Sequence, residues 1–283
     1  ATNQIVVGNG SNDILELVAR TFLSVNDEAI YSEHAFAVYS LVTQAVGAKG
    51  IEVPAKNYAH DLDQFLLAIN ENTKVIYIAN PNNPTGTLID KSTLKSFLDK
   101  VPNNIVVVLD EAYDEYLDNN LKSEAFDWIA KYKNLLISRS FSKAYGLAGL
   151  RLGYGVSSAN LVEVINRIRQ PFNVNSLAQI AGIASLDDDD FIVTSKKIND
   201  KGMKQLTNAF SCLGIEFIRS YGNFIAFKFK DELAAMMYYQ HLLKNGIIIR
   251  PIANYKMPEF LRVSIGLELE NDKFIKILSN CNI

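Results

Sequence analysis

The chain is predicted to be an α/β protein: a mostly parallel sheet with helices on both faces, followed by a small C-terminal α+β domain. Two observations predict this. Apolar runs of strand length recur at 74–79, 105–109, 135–137 and 152–156, between segments of helical period. Their hydrophobicity is continuous rather than alternating, as burial on both faces of a sheet requires. Beyond Leu186 the pattern changes to three strand-like runs separated by helices, which suits a smaller α+β unit.

In order along the chain, Ile5-Val-Val-Gly8 reads as a strand ending in a glycine turn, and a helix is expected over 13–23. Further helices are expected over 36–46, 61–69, 91–100 and 160–169, giving the alternation of a mostly parallel sheet. The acidic run Asp187–Asp190 breaks the pattern. Four adjacent aspartates could bind a metal, but a solvated turn that places negative charge at a helix N-terminus explains them better. A long polar helix over 191–213 follows, and the domain boundary is placed here, giving 1–186 and 187–283. In the second unit, strands over 224–229, 246–250 and 261–265 alternate with helices over 231–245 and 271–278. Sheets of the first kind bind ligands at the carboxyl ends of their strands.

Composition narrows the function classes. The 283 residues are 48% hydrophobic and 21% charged, with a net charge of -3, enough apolar material for a large core and no basic field for nucleic acid or an anionic membrane. The two cysteines, Cys212 and Cys281, form neither a metal-spaced pair nor a disulfide framework. No stretch is long and apolar enough to span a bilayer. A cytoplasmic protein is expected.

Four segments carry candidate chemistry. In Gly8-Asn-Gly-Ser-Asn-Asp13 a strand turns into a helix, where free backbone N–H groups around Gly10 and the Ser11 hydroxyl suit a phosphate; the same turn could be structural punctuation. Asn80-Pro-Asn-Asn-Pro-Thr-Gly86 follows a buried strand and offers Asn83, or is merely a proline-defined loop. Ile105-Val-Val-Val-Leu-Asp110-Glu-Ala-Tyr113 ends an apolar strand in a carboxylate. Such a charge needs a cationic partner, unless Asp110 is a helix N-cap. Ser140-Phe-Ser-Lys143 and Arg151 set an amine among hydroxyls and glycines ahead of a guanidinium. The arrangement suits covalent attachment to a carbonyl cofactor whose phosphate the neighbours hold. Its bland alternative is a helix start with an exposed lysine.

Taken together, the order Asn83, Asp110, Lys143, Arg151 resembles the fold-type-I aminotransferases of class I/II, and the resemblance spans the chain from Gly8 into the C-terminal unit. It implies pyridoxal 5'-phosphate as cofactor, bonded to Lys143, with Asp110 on the pyridine nitrogen. It further implies Asn83 and Tyr113 on the phenolic oxygen, and Ser11, Asn12, Ser140, Ser142 and Arg151, with the backbone at Gly10, around the phosphate. Phe36, in Glu33-His-Ala-Phe-Ala-Val-Tyr39, occupies the place of the family's ring-stacking residue, where relatives often carry tyrosine. Arg262 resembles the arginine that grips the substrate's anionic end. Arg250 is a candidate second clamp, and either arginine could instead be a surface ion pair.

Three segments, 8–17, 33–39 and 169–175, resemble the branch of the family that exchanges an amino group between L-histidinol phosphate and glutamate/2-oxoglutarate. That likeness also implies a homodimer and an N-terminal arm that covers the partner subunit's site. The arm is not in this sequence, so weak transamination by this form is expected. An aromatic or aspartate aminotransferase, or a decarboxylase acting on a phosphorylated substrate, would keep the same cofactor residues. A cofactor-binding regulatory domain is the alternative outside enzymes.

Overall fold

A computed structural model describes residues 1–281. The large sheet and its helices run β1 (Ile5–Asn9), α1 (Ser11–Phe22), β2 (Glu28–Ser32), α2 (Val38–Ala45), β3 (Lys49–Val53), α3 (Leu62–Ala68), β4 (Thr73–Ala79), α4 (Lys91–Leu98), β5 (Val106–Asp110), α5 (Ala125–Trp128), β6 (Leu135–Ser140), β7 (Leu152–Val156), α6 (Ala159–Asn166) and α7 (Ser176–Leu186). Then come α8 (Asp189–Cys212), β8 (Phe224–Lys228), α9 (Glu232–Lys244), β9 (Arg250–Pro251), β10 (Phe260–Ser264) and α10 (Glu268–Ser279).

The seven strands lie in the order β1-β7-β6-β5-β4-β2-β3. Pairings from β3 through β6 are parallel, whereas β7 is antiparallel to both β6 and β1. The expected mostly parallel sheet is thus present, closed at the N-terminal edge by an antiparallel pair. The continuous apolar runs have their explanation in β5. Val106 and Val108 enter a core with Ile14 and Leu15 of α1, Tyr39 of α2 and Ile165 of α6. Val107 and Leu109 face the opposite core, with Phe65 of α3, Phe97 of α4 and Trp128 of α5. Burying such a side chain is worth roughly 1.5–3 kcal/mol, so a polar residue on either face of this strand would be costly.

Residues 224–264 form a separate three-stranded antiparallel sheet, β8-β10-β9, packed under α8, α9 and α10 around Phe210, Phe227 and Phe274. Phe210 stacks on Phe227 with ring centroids 4.8 Å apart. Asp188 caps α8 by accepting a bond from Phe191 N at 3.1 Å, the helix-start role expected of the acidic run. We propose the domain division at 186/187, in the break between α7 and α8. Two expectations need correction. Strands β2 and β3 were not anticipated, and the strand expected over 246–250 shrinks to Arg250–Pro251. As the edge of a three-stranded sheet it has one partner, and Pro251 lacks an N–H to extend the ladder.

Candidate active site

The carboxyl ends of β4, β5 and β6 converge with the N-terminus of α1 on one cavity of about 300 Å³. Its wall includes Ser11, Asn12, Phe36, Asn83, Asp110 and Tyr113 from the large sheet's loops and helices, with Ser140, Ser142, Lys143 and Arg151 following β6 and preceding β7. Arg250 and Arg262 approach from the small sheet. Of the residues singled out in the sequence, only Gly10 is not itself on the wall. It is the N-cap of α1, at φ 86°, and a Cβ there would collide with the Arg151 guanidinium, whose Cζ would stand 3.0 Å away. Glycine is therefore required on steric and dihedral grounds.

Local geometry explains each placement. Arg151 itself has φ 62° and anchors its guanidinium through Nη1 on Ala148 O at 3.0 Å. Strand β7 rides against the turn before α1 so closely that a Cβ on Gly153 would overlap the backbone of Gly10 and Ser11. Ser140 Oγ accepts a bond from Ser142 N at 3.1 Å, which folds the chain after β6 so that Lys143 turns into the cavity. Its Nζ lies 5.5 Å from the Tyr113 ring centroid. Tyr113 in turn meets Phe224 edge-on at 5.3 Å.

Asp110 is buried at the end of β5. Its Oδ2 accepts a bond from Tyr39 Oη at 3.0 Å, while Oδ1 is buried with no partner. The N-cap alternative does not apply, because no α-helix starts there: a 3-10 turn over Asp114–Tyr116 follows, with Tyr113 at its N-cap. Burial pushes the Asp110 carboxyl up to about 6, against the pull of Tyr39, the Ala112 N–H and Lys143. The Lys143 ammonium is pushed down, first by burial and then by Arg262, so its amine is closer to the neutral, nucleophilic form than a surface lysine.

Arg250 and Arg262 are directly opposed in the β9–β10 pair. Arg262 donates through Nη1 to Asn83 Oδ1, lies 4.8 Å over the Phe224 ring and keeps a buried, unpaired Nε. Four cationic side chains, Lys143, Arg151, Arg250 and Arg262, line the wall against the single carboxylate of Asp110. That excess of positive charge suits anionic ligands. Residues 1–278 match the sequence family described as aminotransferase class I and II.

The chain belongs to that family. It is similar to the histidinol-phosphate aminotransferase of Methylobacillus flagellatus, 58% identical over 276 residues that cover 98% of this chain and 74% of the relative. It is also similar to histidinol-phosphate aminotransferase 1 of Idiomarina loihiensis, 53% identical over 277 residues, covering 98% of this chain and 75% of that one. Among solved structures, the histidinol-phosphate aminotransferase of Sinorhizobium meliloti in complex with pyridoxal-5'-phosphate superposes with a TM-score of 0.93 at 26% identity, covering 99% of this chain and 76% of that chain.

Sequence reasoning passed over Tyr39 and Phe224. Tyr39 stands three residues after Phe36, so the two fall on one side of a helical turn, and their rings meet at 5.9 Å and 88°. That spacing was a usable signal. Phe224 had none, because its neighbours Tyr113 and Arg262 are remote in sequence.

Proposed function

We propose that this chain catalyses pyridoxal-phosphate-dependent transamination between L-histidinol phosphate and 2-oxoglutarate, a step of histidine biosynthesis. The observation that carries the reading is the buried, unpartnered Oδ1 of Asp110 facing a cavity otherwise lined with cations. An orphaned carboxylate oxygen there fits a protonated pyridine nitrogen, and the α1 turn with Ser11, Arg151 and the side-chain-free Gly10 fits a phosphate.

Pyridoxal phosphate, when bound, supplies an aldehyde for the substrate amine and an electron sink for the charge developed at the substrate Cα. The protein's side chains do the rest. Lys143 Nζ would hold the aldehyde of the bound cofactor and, freed from it, would move a proton at the substrate Cα, a general acid/base role worth typically about 10²–10⁴-fold in rate. Asp110 Oδ1 would stand against the ring nitrogen and hold its proton. Asn83 has its Oδ1 occupied by Arg262, which leaves Nδ2 to donate to the phenolic oxygen. Burial holds the Tyr113 phenol well above its ordinary range, so it too donates there. Phe36 would cover the ring, and Ser11, Asn12, Ser140, Ser142 and Arg151 would hold the phosphate with the Gly10 backbone. Arg262 and Arg250 take the substrate's anionic end, phosphate or carboxylate.

A homodimer in the cytoplasm is the working form in this reading. An exposed apolar row on α7, Leu177, Ile180 and Ile183, at 70%, 66% and 67% exposure, supports self-association. Light scattering at working concentration checks this, a monomer with full activity being the adverse result.

Borohydride treatment of the yellow, cofactor-loaded protein should fix the cofactor on the peptide that contains Lys143, and kinetics should favour histidinol phosphate over phenylalanine, tyrosine and aspartate as amino donor. Attachment at another lysine would sink the Lys143 role. A higher kcat/KM for aspartate or an aromatic amino acid would sink the substrate.

A further inference from the structure

The Asp110 carboxylate is engaged through Oδ2 by Tyr39. The phenol is completely buried, donates to Asp110 Oδ2 at 3.0 Å, and stacks on Tyr77 with ring centroids 4.9 Å apart and planes within 6°. Tyr77 donates through Oη to Leu15 O at 3.3 Å, on the helix whose first turn carries Ser11 and Asn12. A continuous chain of contacts therefore runs from the Asp110 carboxylate through two packed rings to the helix that forms the phosphate side of the cavity.

We infer that Tyr39 is a positioning residue: with Oδ2 engaged by the phenol, Asp110 presents Oδ1 to the cofactor's ring nitrogen at a site indexed to the phosphate-holding turn. The inference rests on the reading of Asp110 as the partner of that nitrogen. Its physical basis is preorganisation. A carboxylate fixed before the ligand arrives need not be ordered on binding, and a hydrogen bond to a buried charged group is stronger than one between neutral groups. Phe36 and Tyr39 then divide the labour: Phe36 would cover the cofactor, while Tyr39 spends its hydroxyl on Asp110. A structural role alone would have Tyr39 merely spending its hydroxyl on a convenient buried acceptor.

The two roles separate in Tyr39→Phe, which keeps the ring and its stack on Tyr77 and removes the hydroxyl. Dissociation constants are measured for pyridoxal phosphate and for an analogue in which carbon replaces the ring nitrogen, on wild type, Tyr39→Phe, Asp110→Asn and the double variant. Tyr39→Phe should weaken pyridoxal phosphate by about ten- to a hundredfold and the carbon analogue by less than about threefold. In the Asp110→Asn background the same change should cost less than about threefold for either ligand, because the charge it positions is gone. Equal weakening of both ligands, or no weakening of pyridoxal phosphate, would overturn the inference while leaving Asp110 in place. A wild-type protein that does not distinguish the two ligands would overturn the Asp110 reading and this one with it.

Discussion

Arg139 Nη2 lies 2.8 Å from Glu111 Oε2, which joins the residue after Asp110 to the residue before Ser140. The same guanidinium reaches Asp114 Oδ2 at 2.8 Å and Glu115 Oε1 at 3.2 Å. Three carboxylates thus converge on one cation at the ends of β5 and β6, where the site's acid and its amine stand. Arg139→Met leaves them facing each other in a buried place, and the expected loss is about 3–5 kcal/mol. Arg139→Lys should recover only part, since one ammonium cannot span three partners. Urea unfolding midpoints check both; a loss under about 1 kcal/mol for Arg139→Met would mean that the network is not structural.

Asp110 gives a pH dependence whose sign is fixed. Burial holds its carboxyl up at about 6 in the cofactor-free fold, against 3.8 ordinarily. Between those values the folded chain binds more protons than the unfolded chain, so stability is full below the lower value and falls as pH rises through the upper. The loss is on the order of 2–3 kcal/mol. If Asp110 partners the cofactor's ring nitrogen as proposed, cofactor affinity should move the opposite way over the same window, because that nitrogen would need the ionised carboxylate. Asp110→Asn should remove this component of both slopes and lower turnover at least about a hundredfold, equivalent to ~2.7 kcal/mol of barrier. Unfolding and binding series from pH 4 to 7 on both proteins provide the check, and identical slopes would exclude Asp110 as the titrating group.

Gly10→Ala tests the phosphate end alone. The new methyl would meet the Arg151 guanidinium at a φ that side chains avoid, so Arg151 must move. Affinity for pyridoxal phosphate should fall by more than about tenfold, on the usual worth of a charge-assisted contact, with pyridoxal, which lacks the phosphate, affected far less. Equal losses for the two ligands would point to general damage.

The parts of this molecule that could be read from its sequence are those set by contiguous residues. Val75–Ala79 of β4 and Val106–Leu109 of β5 are apolar because both faces are buried, and that pattern survives without any knowledge of neighbours. Glu28–Ser32 and Lys49–Val53 escaped notice because each is five residues long with charged positions at or near its end, and β3 lies on the sheet's edge with only one strand beside it. Lys143, Asp110 and Asn83 are candidates because they lie at or just beyond the carboxyl ends of strands, where such topologies gather ligands, and the structure places all three on one cavity wall. The hydrogen bond from Tyr39 to Asp110 bridges 71 positions, and nothing local to either residue announces it.

The close seating of Gly153 against Gly10 and Ser11 means that the proposed anion cradle is shared between two distant stretches of chain, one of them attached to an edge strand. β1 pairs only with β7 in the sheet, and its Ile5 and Val7 are exposed. If that strand peels away the cradle comes apart with it, so a ligand gripped there acts as a clasp on the edge, and amide exchange across Ile5–Asn9 should slow when the cofactor is loaded. An unclasped edge offers a row of bare backbone groups to any other chain. Cofactor shortage would then do more than silence the site: it would leave the protein open to sticking to its own kind.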